Sequence, residues 1–207
     1  TAMHLPDFGP YPDGFVYAKD INDVVNHITK ETCAVMIELV QGEGGVTPLD
    51  FEEVKQMAAT LKEQGVLLIV DEVQTGIYRT GELLASNLFE ITPDIITLAK
   101  GLGGGMPIAA VMTNLKDIFK PGDHGSTFGG NYMATACANE VLDILTEKKE
   151  SGKLDETLLY FHQELQKIAN DYNHLFDREL GLGMMRALAA KDSEIQSAVI
   201  TKAFEEG

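Results

Sequence analysis

An acid and a lysine follow two apolar segments of strand length in this chain. Asp71 comes directly after the run at 66–70, and Lys100 comes shortly after the run at 95–98. In an open parallel sheet, ligands bind beyond the carboxyl ends of the strands, so two strands joined by a helix can present both side chains to one crevice. A lysine can form a Schiff base there, and an acid can hold a protonated ring nitrogen. The pair therefore indicates Schiff-base chemistry on a cofactor with a ring nitrogen.

Taken singly, each residue also has an ordinary explanation. Asp71 could cap a helix or form a turn, and Lys100 could be a solvated lysine in a glycine loop. The glycines after Lys100 depart from the dinucleotide pattern GxGxxG, because Met106 stands at the last required position. The sequence contains no GxxxxGK loop, and GSTFG at 125–129 differs from GxSxG. A nicotinamide oxidoreductase, a P-loop enzyme and a nucleophile-elbow hydrolase are therefore all disfavoured.

The charge balance argues against a nucleic-acid partner. The chain carries 16 Lys and Arg residues against 32 Asp and Glu residues, a formal net charge of -16, which repels a polyphosphate backbone. Apolar residues make up 44% of the chain, enough for a sizeable buried core. No apolar run approaches the ~20 residues of a membrane span. We therefore expect a cytoplasmic protein with no membrane segment.

The cysteines indicate neither a metal site nor a disulfide. Cys33 and Cys137 are far apart in the sequence and form no CxxC pair, so a zinc site has no support. Both stand among apolar residues, and we expect two buried, reduced thiols.

The hydrophobic pattern alternates between strands and helices. A helix is predicted at 51–64, with Asp50 and Glu53 as a capping box and Gly65 as the C-cap, and a short helix is predicted at 82–89. Strand-length apolar runs occur at 33–40, 66–70, 95–98 and 108–112. Their continuous apolar character favours a sheet covered on both faces. The order predicts an α/β fold with a mostly parallel sheet.

After Asn131 the pattern becomes mainly helical. We predict helices at 132–149, 154–174 and 193–206, and a strand at 183–190. The last part is too short to close a domain, so we place a boundary near residue 150, with residues 151–207 as an incomplete second domain. The loop-like opening at 5–14 and the end at Gly207 suggest an internal piece of something longer.

Four motifs occur in a fixed order and carry a family resemblance. They are QGEGG at 41–45, DEVQTG at 71–76, AKGLGGGMP at 99–107 and HGSTFGGN at 124–131. Together they resemble the class III (ornithine-type) aminotransferases of the fold-type I pyridoxal-phosphate enzymes, from about residue 13 to about residue 190. The resemblance implies that residues 1–150 are part of the cofactor-binding large domain, and that residues 151–207 begin the small C-terminal α/β domain.

The resemblance also implies roles for single residues around pyridoxal 5'-phosphate. Lys100 resembles the Schiff-base lysine, and Asp71 resembles the partner of the pyridine nitrogen. Val73 would pack on one face of the ring, a role compatible with core packing. Gln74 would hydrogen-bond the ring hydroxyl or lie near it.

Further residues would contact a neighbouring subunit or the substrate. Thr127 resembles the threonine that reaches the cofactor phosphate of the other subunit, which implies a homodimer, and Ser126 would lie beside it or serve as a turn residue. Glu43 resembles the glutamate that pairs with a substrate-gating arginine, although it could be a solvated loop acid. Glu38 matches a glutamate near the substrate and the cofactor. Tyr78 stands where glycine is common in the family.

The activity implied is a ping-pong transamination. The terminal amino group of N-acetylornithine or a related ω-amine would pass to 2-oxoglutarate in arginine biosynthesis. Ornithine, succinylornithine and 4-aminobutyrate remain alternative donors, and an aminomutase or decarboxylase on the same scaffold remains open. A catalytically inactive piece is a further alternative, because the family's phosphate-binding loop belongs before Thr1 and its gating arginine after Gly207.

Overall fold

The computed structural model describes residues 9, 10 and 12–207, so the predicted opening loop at 5–14 lies partly outside the described residues. The elements are β1 (Ala34–Ile37), β2 (Val40–Gln41), β3 (Thr47–Pro48), α1 (Phe51–Gln64), β4 (Leu67–Asp71), α2 (Ala85–Leu88), β5 (Ile95–Leu98), β6 (Ala110–Thr113), α3 (Tyr132–Glu150), α4 (Lys153–Asp171), β7 (Phe176–Leu182), β8 (Met185–Ala190) and α5 (Ser193–Glu206). Short 3-10 helices occur at Val24–His27 and Lys100–Gly103. Across the described part of the chain, no helix combines the length and the apolar character that a membrane crossing needs.

Four strands form the central sheet in the order β1-β4-β5-β6. β4 pairs in parallel with both β1 and β5, which confirms the predicted α/β fold with a mostly parallel sheet. β6 runs antiparallel to β5. Its connection from Leu98 to Ala110 contains a 3-10 turn and no α-helix, and it is shorter than the dozen or more residues that a parallel crossover needs.

Helix α1 has the predicted bounds because both of its ends are capped. The Asp50 side chain accepts hydrogen bonds from the backbone N–H groups of Glu52 and Glu53, and Gly65 closes the helix with a φ of 70°. The predicted capping box forms on one side, since the Glu53 carboxylate accepts a bond from Asn22 Nδ2 at 2.8 Å. The buried stripe of the helix packs against β4 and consists of Val54, Met57 and Leu61.

In the described part of the chain, helices cover one face of the sheet. Val70 and Ile96 are register partners, so their side chains project from the same face. That face is buried by α1 and α2 around Val70 and by α3 around Ile96. The alternate residues project from the other face, where Met36 is 57% exposed and Val111 is 59% exposed. Within the described residues, no helix covers that side, and apolar side chains remain exposed on it next to Asp71 and Thr97.

The segment after α3 forms two helices and a strand pair. α3 and α4 are separated by Ser151 and Gly152, as predicted, and Gly152 has a φ of 77°. β7 pairs antiparallel with β8. The sequence did not indicate β7, because the charged run at 177–179 interrupts its apolar pattern. The division into two domains near residue 150 stays a prediction.

The turn between β7 and β8 packs against the loop that follows β4. Met184 N donates to Arg79 O at 2.8 Å. A Cβ atom on Gly183 would lie 2.4 Å from the carbonyl carbon of Thr80. Glycine at 183 therefore allows a main-chain approach that any side chain would block.

Both cysteines are free thiols in the structure. Cys137 on α3 is partly buried, but Cys33 is exposed, so the predicted burial of Cys33 is wrong. Cys33 is exposed because it precedes the first residue of β1 and therefore lies at the rim of the sheet, outside the core.

Candidate functional site

Three of the predicted site residues lie at the carboxyl ends of three adjacent strands. Asp71 ends β4, and Lys100 follows β5 after one residue. Glu38 follows β1, whose last residue, Ile37, pairs with Val70, so Glu38 is level with Asp71. The parallel register brings these ends to one edge of the sheet, where α/β folds bind their ligands.

A cavity of about 530 Å³ opens beside this edge. Its walls include Glu43, Val73, Gln74 and Lys100, four of the predicted site residues. Ligand sites in proteins typically occupy roughly 300–1,000 Å³. The cavity therefore has room for a molecule of cofactor size.

The Asp71 carboxylate is held through one of its oxygens. Oδ1 accepts a hydrogen bond from Val73 N at 2.9 Å and another from the Thr97 hydroxyl at 3.1 Å. Oδ2 accepts no hydrogen bond from any residue that the structure describes. This free oxygen can accept a hydrogen bond from a protonated ring nitrogen. The site therefore fits a protonated pyridine ring.

Gln74 packs against the main chain of the QGEGG segment. A Cβ atom on Gly42 would lie 2.1 Å from Gln74 Oε1 and 2.8 Å from its Cδ. Glycine at 42 therefore makes room for the Gln74 amide, and this contact links two motifs that are about thirty residues apart in the sequence. Glu43, the next residue, is exposed on the cavity wall.

Strained backbone is concentrated around the cavity. Left-handed φ angles occur at Val46 (53°), Ile77 (56°), Tyr78 (61°) and Lys100 (44°), and all four residues line the cavity. Such angles are unfavourable for non-glycine residues, most of all for β-branched and bulky ones. They persist where surrounding contacts over-determine the chain, which is typical of functional sites.

The Lys100 amine is available for chemistry. Lys100 begins the 3-10 helix that follows β5, and its side chain is exposed. Among the described residues, no carboxylate lies within salt-bridge distance of its Nζ, although the chain contains 32 acids. The cavity wall also carries Arg79 and the acid Glu43, while Arg186 on the same wall is paired with the carboxylate of Glu179. Arg79 and Lys100 are therefore the cationic groups that an anionic ligand would meet on this wall.

The structure leaves four predicted residues off the cavity wall, and Asp71, at the end of β4, is one of them. Glu38 lies near the strand ends but does not line the cavity. Ser126 and Thr127 belong to an exposed loop at 121–131. Ser126 Oγ accepts a hydrogen bond from Gly129 N at 2.9 Å, which stabilises the turn, and its role beside the cofactor phosphate stays a prediction. The role of Thr127 toward a neighbouring subunit stays a prediction.

Glu72 is a structural acid that the sequence analysis missed. It is 1% exposed, and its carboxylate accepts hydrogen bonds from Ala85 N at 2.6 Å and from Ser86 N and Ser86 Oγ, both at 2.8 Å. Thr75 Oγ1 donates a fourth bond at 3.0 Å. These bonds tie the DEVQTG segment to the start of α2 and so fix the loop that carries Val73 and Gln74. Its place beside Asp71 in the motif was the available signal.

The comparisons with known proteins agree with this geometry. A family model described as aminotransferase class III matches residues 12–207. An acetylornithine aminotransferase from Wolinella succinogenes is 57% identical over 198 residues, which cover 96% of this chain and 50% of that protein. A succinylornithine transaminase from Photorhabdus laumondii is 39% identical over 86% of this chain and 45% of its own length.

A solved structure has the same fold. The ornithine aminotransferase from Toxoplasma gondii ME49 superposes with a TM-score of 0.87 at 35% identity, covering 100% of this chain and 51% of that one. The chain thus spans about half the length of the curated relatives it matches. The family model covers nearly the whole chain. This chain belongs to the class III aminotransferases.

Proposed function

We propose that this chain forms part of a pyridoxal-phosphate-dependent transaminase. The observation that carries the proposal is the arrangement at the sheet edge. Lys100, Val73 and Gln74 line one cavity, while Asp71 keeps a free carboxylate oxygen at the adjoining strand end. When bound, pyridoxal 5'-phosphate supplies an electron sink for charge that develops on the reacting carbon of the substrate.

Each residue of the site would perform one task toward that cofactor. Lys100 would bond it through Nζ, and the amine released on substrate binding would carry the proton of the reacting carbon. Asp71 Oδ2 would accept the N–H of the pyridine ring and keep that nitrogen protonated. Val73 would pack on the ring face, and the Gln74 amide would approach the ring hydroxyl.

The substrates we propose are an ω-amine and 2-oxoglutarate. N-acetylornithine is the donor we favour, in arginine biosynthesis, and the name of the Wolinella succinogenes relative supports this choice. The relatives named for succinylornithine and ornithine keep those two donors as alternatives. Arg79 on the cavity wall suits a carboxylate of the keto-acid acceptor, whereas the Arg186 guanidinium is already paired with Glu179. Glu43 would pair with a gating arginine, and Glu38 would help to orient the surroundings of the site. We also propose a cytoplasmic location.

We further propose that the active form is a homodimer in which Thr127 serves the neighbouring cofactor. Large apolar side chains are exposed in the loop that carries Thr127 and at the start of α3, since Phe128 is 82% exposed and Tyr132 is 95% exposed. Exposed apolar groups that cluster in this way are typical of protein–protein contacts. A second copy of the chain is the partner that this surface would take.

The first test is borohydride trapping with pyridoxal phosphate, followed by peptide mapping, on the full polypeptide that carries this sequence. We expect the pyridoxyl label on Lys100, its loss in Lys100→Ala, and no change in the control Lys116→Ala, an exposed lysine off the cavity. Glutamate formation from labelled 2-oxoglutarate, measured with each candidate donor, then identifies the reaction. A label on another lysine, or none, would overturn the proposal. A labelled full polypeptide beside an unlabelled 207-residue chain would favour the alternative that this piece alone is inactive.

The dimer has its own test by subunit complementation. Co-expressed Lys100→Ala and Thr127→Val subunits form mixed dimers, in which one site combines an intact Lys100 with the Thr127 of the other subunit. Random pairing makes half of the dimers mixed, so activity should recover to about a quarter of the wild-type value. Activity no higher than the average of the two single variants would refute the shared site.

A further inference from the structure

The Asp71 carboxylate has a fixed side and an open side. Both of its hydrogen bonds, from Val73 N at 2.9 Å and from Thr97 Oγ1 at 3.1 Å, reach Oδ1. Oδ2 receives none from the part of the chain that the structure describes. One donor alone would leave the carboxylate free to rotate, whereas two donors on one oxygen define where the second oxygen points.

Thr97 is placed for this task by the sheet itself. Asp71 and Thr97 are register partners in the parallel pair of β4 and β5, so their side chains project from the same sheet face. A main-chain hydrogen bond also holds the two strands together at this point, because Glu72 N donates to Thr97 O at 3.0 Å. Threonine is β-branched and has few χ1 rotamers, so its hydroxyl has a well-defined direction. Neither the motifs nor the family resemblance pointed to this residue.

We infer that Thr97 is a positioning residue whose hydroxyl orients the Asp71 carboxylate, so that Oδ2 faces the ring nitrogen of the cofactor. The inference rests on the proposed function. Without the hydroxyl, Val73 N remains the single donor to Asp71, and the contact between Oδ2 and the ring nitrogen loosens. The ring nitrogen then keeps its proton less firmly, and its electron-withdrawing effect on the lysine linkage weakens.

The test compares Thr97→Val, which removes the hydroxyl at nearly constant shape, with Thr97→Ser, which keeps the hydroxyl and removes the methyl group. Each is made in the full polypeptide loaded with pyridoxal phosphate. The readouts are the pH midpoint of the visible absorbance of the lysine-bound cofactor and kcat. We expect Thr97→Val to move the midpoint upward and to lower kcat roughly 10-fold, the effect of one hydrogen bond to a charged group. Thr97→Ser should resemble the wild type in both.

Thr113→Val is the matched control. Thr113 projects from the same sheet face on β6, and its hydroxyl donates to Asp94 O at 2.8 Å, away from the cofactor edge. Its substitution should leave the absorbance midpoint unchanged. If Thr97→Val fails to fold, Thr97→Ala removes the same hydroxyl without adding a methyl group and must show the same upward shift.

Two outcomes would overturn the inference. One is a Thr97→Val or Thr97→Ala protein with the wild-type midpoint and kcat, and the other is an equal shift in Thr97→Ser, which would trace the effect to packing. Failure of the proposed function is distinguishable, since the unsubstituted protein would then carry no cofactor on Lys100.

Discussion

Replacing the buried acid Glu72 with alanine should destabilise the fold strongly. The carboxylate is the hydrogen-bond acceptor for Ala85 N and Ser86 N, and both N–H groups belong to buried residues. Its removal leaves two buried main-chain donors without a partner. Each such donor costs about 1–3 kcal/mol, so the expected loss is about 2–6 kcal/mol. Typical domains have a free energy of unfolding of about 5–15 kcal/mol, so this loss is a large share.

The measurement is urea unfolding followed by far-UV circular dichroism, because the chain has no Trp to serve as a fluorescence probe. Glu63→Ala is the matched control, since Glu63 is exposed on α1, and it should change the free energy of unfolding by less than about 0.5 kcal/mol. Glu72→Gln should fall between the two, because it keeps one carbonyl acceptor but loses the charge that strengthens the bonds. A loss below about 1 kcal/mol in Glu72→Ala would refute the claim that this acid fixes the loop.

Two further substitutions test contacts around the same loop. Gly183→Ala should lower the free energy of unfolding by about 1–3 kcal/mol from overpacking, in addition to the strain of a left-handed φ, because the new Cβ atom would meet main-chain atoms. Gly152→Ala is the control and should cost that strain alone, because the space around Gly152 is open. Equal losses of the two variants in urea unfolding would contradict this reasoning. Tyr78→Phe removes the bond of 3.1 Å between the Tyr78 and Thr146 hydroxyls and should cost about 0.5–1.5 kcal/mol. An unchanged thermal midpoint would show that this bond adds nothing to the anchoring of the loop to α3.

Local signals predicted most of the elements. The helix at 51–64 has the predicted bounds because an Asp and a Gly stand at its two ends, and the helix at 193–206 matches for a similar reason, with Asp192 as its N-cap. The short helix was predicted from 82 but begins at Ala85. Its start is set by the Glu72 carboxylate, which lies thirteen residues earlier in the chain. A pattern within the helix itself cannot reveal such a partner.

Strand pairing was harder to predict than strand position. The apolar run at 108–112 indicated a strand, but its antiparallel direction follows from the connection before it. β7 was missed because its polar residues obscure the alternation, and it forms as the partner of β8. Both features depend on contacts between segments, which a single strand pattern does not record.

Site residues were predicted where a local pattern marks them, and missed where their role depends on a distant partner. Asp71 and Lys100 could be found because strand ends in a parallel sheet converge by geometry. Thr97 could not, since its hydroxyl acquires a role only through the register that brings Asp71 close. Glu72 stands in the DEVQTG motif, but its partners Ala85 and Ser86 lie thirteen and fourteen residues farther along the chain. The strain at Ile77 and Tyr78 was likewise hidden, because both residue types normally avoid left-handed backbone.

The open sheet face makes the colloidal behaviour of this chain depend on salt. Copies that carry a net charge of -16 repel one another over about 30 Å at 0.01 M salt, but over only about 10 Å at 0.1 M. The apolar attraction between open faces, which include Met36 and Val111, is not screened in this way. Purification at low ionic strength should therefore keep copies of the chain apart. Added salt should promote their association through the exposed sheet faces.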